Sequence, residues 1–91
     1  MKHFKVIFKE SSSHEVKGEF EFFASSKIEV KNSILRFANL LYYGSEKRLP
    51  KVSKRELDFV HIAEINKKRF LGTIHAMAIC WSPYSFDLEI L

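Results

Sequence analysis

Ninety-one residues, 46% hydrophobic and 14% aromatic, supply one apolar core and leave no room for a second domain. Fifteen Lys and Arg against 11 Asp and Glu give a formal charge of +4, an excess that permits an acidic partner without requiring one. A single cysteine, Cys80, excludes an internal disulfide; MKHFKVIFKE lacks the apolar stretch of a signal peptide, and the longest mainly apolar run, Leu71 to Trp81, is too short for the roughly 20 residues that span a bilayer, so a soluble, cytoplasmic chain is expected.

Lys2 to Lys9 alternates Phe4, Val6 and Phe8 against Lys5 and Lys9, the period of a half-buried strand, with Ile7 as its one apolar exception. Glu10 to His14 reads as a hairpin loop. Glu15 to Phe23 alternates again, with Val16, Gly18, Phe20 and Phe22 opposite Lys17, Glu19 and Glu21, so the outer faces of the two strands bring lysine near glutamate.

Ser26 followed by Glu29 forms a capping box, and Lys27 to Tyr43 carries Ile28, Val30, Ile34, Leu35, Phe37, Ala38, Leu41 and Tyr42 in one helical arc, with Glu29, Asn32, Arg36 and Asn39 opposite. Gly44 is a natural stop. Ser45 to Arg55 has no apolar period and reads as a basic linker around Pro50, with Lys47, Arg48, Lys51, Lys54 and Arg55. A second capping box, Ser53 and Glu56, is set aside, because the apolar residues that follow are β-branched or aromatic and scatter round a helical wheel.

Glu56 to Ile65 and Phe70 to Trp81 are then expected to form a long hairpin closed by Asn66, Lys67, Lys68 and Arg69, and Tyr84 to Leu91 a final strand after Ser82 and Pro83. The fold class is α+β: one small domain, an antiparallel sheet in the order ββαβββ packed on one amphipathic helix. This central hairpin is apolar on both sides. Leu57, Phe59, Ala63, Ile65, Ile74, Ala76 and Ala78 are placed on one, and Val60, Ile62, Met77, Ile79 and Trp81, with Leu71 and His75 among them, on the other. A helix of about 26 Å covers one face of a small sheet. The second face, carried by Val60, Ile62, Leu71, Met77, Ile79 and Trp81, is therefore the expected partner-binding surface.

No catalytic constellation is found. His61, His75 and Cys80 with Asp58 or Glu64 lack metal-ligand spacing, Cys80 sits in an apolar strand where burial disfavours its thiolate, and Gly18, Gly44 and Gly72 form no phosphate loop. No enzyme, metal, cofactor or small-molecule substrate is expected. The linker cations (Lys47, Arg48, Lys51, Lys54, Arg55) and the hairpin tip (Lys67, Lys68, Arg69) are the candidate contacts to an acidic or nucleic-acid partner. The leading expectation is a protein partner or a homodimer, with direct RNA or DNA binding as the alternative and no membrane contact. In size and element order, though in no motif, the layout resembles small phage-encoded inhibitors, anti-CRISPR proteins among them. That resemblance implies a protein that works by occupying a surface on a larger assembly.

Overall fold

The computed structural model describes residues 1–10, 13–43, 60–74 and 84–91. In chain order the elements are β1 (Lys2–Glu10), β2 (Val16–Ala24), α1 (Lys27–Tyr43), β3 (Val60–Glu64), β4 (Arg69–Ile74) and β5 (Tyr84–Ile90). The strands form one antiparallel sheet in the order β2-β1-β5-β4-β3. The expected ββαβββ domain is thus observed, with β5 inserted between the two hairpins. Linker cations 47–55, strand ends 56–59 and 75–81, and Met77, Ile79, Trp81, His75 and Cys80 lie outside the described residues.

Period-two patterning puts Phe4, Val6 and Phe8 of β1 on the side facing α1, where they are 7%, 0% and 0% exposed. Phe22 and Ala24 of β2, Phe86 and Leu88 of β5, Ile74 of β4 and Val60 of β3 join them from the sheet, and Val30, Ile34, Leu35 and Ala38 from the helix. Full burial of a side chain such as Phe8 contributes about 1.5–3 kcal/mol. Its ring meets those of Phe20 and Phe86 edge-on, with centroids 6.0 and 6.1 Å apart, while Phe20 stacks on Phe37 of the helix at 4.5 Å.

Two glycines shape this core by what they omit. A Cβ on Gly72 would stand 2.0–2.6 Å from the ring atoms of Phe86, so the ring lies directly over β4. On Gly18 the nearest atoms would be the Leu41 methyls at 2.7 and 3.0 Å, so this glycine lets α1 approach β2.

α1 starts where the sequence says it should. Ser26 Oγ accepts from the Glu29 N–H at 3.2 Å, and the Glu29 carboxylate accepts from the Ser25 N–H at 2.9 Å and the Ser25 hydroxyl at 2.6 Å. These bonds, the hydroxyl of Ser25 foremost, hold the Glu29 carboxyl below its ordinary value of 4.5. Ile28 departs from the expected arc: it is 64% exposed, one turn too early to reach the sheet. Val16 is likewise 56% exposed, because a bulge at Phe8/Lys9 shifts the β1–β2 register and pairs Val16 with Lys9 on the other face. In the intervening loop His14 adopts φ 59° and donates its N–H to the Glu10 carbonyl at 2.8 Å.

The β3–β4 turn corrects the sequence reading most. Its expected closure by Asn66 to Arg69 would have set Ile65 against Phe70. Instead, the Asn66 side chain accepts from the N–H groups of Lys68 and Arg69 at 2.9 and 3.0 Å, and the Ile65 N–H donates to the Arg69 carbonyl at 2.9 Å. The loop is one residue tighter, and Glu64 pairs with Phe70. A slip of one residue moves every side chain of a strand to the other face. Ile74 therefore shares the helix-facing side with Val60 and Ile62, and Leu71 lies opposite Ala63 on the far side.

Candidate binding surface

The face of the sheet turned away from α1 is built in rows, because directly paired residues of antiparallel strands project to the same side. One row reads Ile65, Arg69, Glu89, Lys5 and Glu21 from β3 to β2. After its aliphatic first member, charges alternate strictly across four strands. The next row reads Ala63, Leu71, Asp87, Ile7 and Glu19, and the next His61, Thr73, Ser85, Lys9 and Val16. Ile7, the exception to the alternation of β1, lies on this face between Asp87 and Glu19.

The charges on the β1–β2 side of this face are paired within the molecule. Lys5 Nζ lies 2.9 Å from Glu19 and Lys9 Nζ 2.6 Å from Asp87; at the hairpin end of the same two strands, Lys17 Nζ lies 3.2 Å from both Glu10 and Glu15. His3 Nε2 is 3.0 Å from Glu21, and its ring stacks on exposed Phe23 at 4.5 Å. The hydrogen bond to Glu19, reinforced by its charge and those of Glu89 and Glu21, raises the Lys5 pKa above 10.5. Lys17 is raised likewise, first by its hydrogen bond to Glu10 and then by Glu15.

The β3–β4 side is more apolar. Leu71 is 48% and Ile65 56% exposed, and with Ile7 they surround a pit of about 60 Å³ whose rim carries Lys5, Arg69, Asp87 and Glu89. A wider basin of about 580 Å³ adjoins it, lined by His61, Thr73, Ser85, Lys9, Asp87 and His14 among others. Ser85 and His61 are separated by β4, roughly 9–10 Å at the usual strand spacing, so the row does not set serine against imidazole as a nucleophile–base pair.

The surface expected from the sequence is therefore divided. Val60 is 1% exposed and belongs to the core, Ile62 packs against that core, and only Leu71 of the described members faces away from the helix. The tighter turn is the physical reason. Lys67, Lys68 and Arg69 are exposed at the tip, as expected from their position, with Arg69 continuing into the charged row. Ile7, Ile65, Lys5 and Glu89 were not singled out as site residues; the signal for Ile7 was its break in the alternation, whereas that for Ile65 depended on the register. Among the described residues no group of three His, Cys, Asp or Glu could hold a metal ion, and no helix is long and apolar enough to cross a membrane. Comparison of the chain with protein-family models, curated proteins and solved structures gives no match.

Proposed function

We propose that this protein is a non-enzymatic binding module of the cytoplasm that docks a protein partner on the sheet face opposite α1, centred on Leu71, Ile65 and Ile7. The observation that carries this reading is the pairing of exposed aliphatic side chains with a largely self-neutralised charged surround. A phosphate backbone would have to compete with Glu19 and Asp87 for Lys5 and Lys9, whereas a protein surface can match alternating charges and cover the aliphatic strip. A finer reading, an inhibitor occupying a surface on a larger host assembly, draws its support from layout alone.

Leu71→Arg tests it. The side chain is exposed, so the variant should fold, with an unchanged amide spectrum, and should fail to retain the partner that wild-type protein captures from its native host. Equal capture by both proteins would sink the proposal. Light scattering over a concentration series covers self-association: a dimer that L71R converts to monomer would make the partner a second copy. Direct nucleic-acid binding through Lys67, Lys68 and Arg69 would instead appear as affinity for duplex or single-stranded DNA that falls steeply between two salt concentrations.

A further inference from the structure

On the helix-facing side of the sheet α1 packs chiefly on β2, and its first turn, the start of β1 and residues of β5, β4 and β3 border a common depression. The result is a groove of about 540 Å³. Its floor and inner wall are apolar: Phe4, Val30 and Leu88 are almost fully buried, and Ile62, Phe70 and Ile90 are half-buried against the core. Lys2 from the start of β1 and Lys27 from the first residue of α1 line one end, and Glu64 from the end of β3 lines the other.

These charges differ from those on the opposite face. Lys5 and Lys9 each hold a carboxylate within 2.9 Å, whereas among the described residues Lys2 and Lys27 have no ion-pair partner. The dipole of α1 adds little to the positive end, since Glu29 already occupies the first turn. Concave sites of roughly 300–1,000 Å³ with apolar walls and a few placed polar groups are the usual form of small-ligand sites.

We propose that this groove binds a small amphipathic anion, an acyl-chain carboxylate, with its head between Lys2 and Lys27 and its tail along Ile62, Phe70 and Ile90. Glu64 sets the orientation by repelling an anion from the β3 end. The site is on the side of the sheet away from the docking face, so it stands or falls independently of that reading.

The probes are decanoate, decylamine and decanol, titrated into the full chain and followed by amide chemical shifts and calorimetry. Decanoate should bind more tightly than either neutral or cationic analogue, and its shifts should cluster at Val30, Ile62, Phe70 and Ile90. The double variant K2Q/K27Q alters two exposed side chains and should fold. It should weaken decanoate by about fivefold, the scale of two solvent-exposed charge contacts, and leave decanol unchanged. E64Q should not weaken decanoate. The proposal is overturned by shifts that lie elsewhere, by decylamine binding as tightly as decanoate, by K2Q/K27Q leaving decanoate affinity intact, or by a loss of decanoate affinity in E64Q.

Discussion

At the scale of single residues, the core is fitted most tightly where a side chain is missing. Placing a methyl group on Gly72 drives it into the Phe86 ring, which Phe8 flanks, so Gly72→Ala should cost about 3 kcal/mol or more, read as a lower urea midpoint. Gly18→Ala meets the ends of Leu41, which can turn aside, and should cost under about 1 kcal/mol. Pairing Gly72→Ala with Phe86→Leu should recover part of the loss; strict additivity in that cycle would mean that the ring is not what the glycine accommodates. Neither contact partner is visible in the sequence, where Gly18 and Gly72, as glycines within strands, suggest only a bulge or close packing.

At the scale of elements, α1 shows how local chemistry can set a boundary. The capping box predicts a start at Lys27, and the structure begins the helix there, because Ser26 and Glu29 satisfy N–H groups at the turn that would otherwise lack partners. Ser26→Ala should cost about 1 kcal/mol. Glu29 adds a pH dependence: its folded pKa lies below the ordinary value, so its contribution is present above pH 4.5 and is lost as the pH falls through the folded value. Glu29→Gln should flatten the acid limb of the stability curve below pH 4.5, and a curve unchanged by that substitution would contradict the assignment. The β3–β4 hairpin shows the opposite case. Val60, Ile62, Ala63 and Ile65 offer apolar residues to both faces, so alternation could not decide which face was inner; the Asn66 turn decides it, through bonds that composition does not announce. The interiors of β1 and β2, with Lys5 and Lys9 or Glu19 and Glu21 on one side only, left no such freedom, and their faces were legible.

Across the whole molecule, stability is distributed from the middle outward. Val6, Phe8, Phe86 and Leu88 make β1 and β5 the most buried strands, whereas β3 is short and terminal in the sheet order. Amide hydrogen exchange should therefore be slowest in β1 and β5 and fastest among the strands in β3; slow exchange in β3 with fast exchange in β5 would reverse this ordering. The candidate binding surface was less legible than the fold because it depends on pairings between segments far apart in the chain. Lys5 meets Glu89 and Leu71 meets Asp87 only once β5 has taken its place.

That place carries a consequence for how the fold is reached. β5 follows every other strand in the chain yet separates the two hairpins, so the β1–β2 and β3–β4 ribbons have no ladder between them until residues 84–90 arrive. During synthesis each ribbon must wait with the bonding edge that will receive β5 open to solvent or to another nascent chain, a state prone to mispairing. Completion of the sheet thus depends on a closing step that pairs β5, the final described strand, with β1 on one side and β4 on the other.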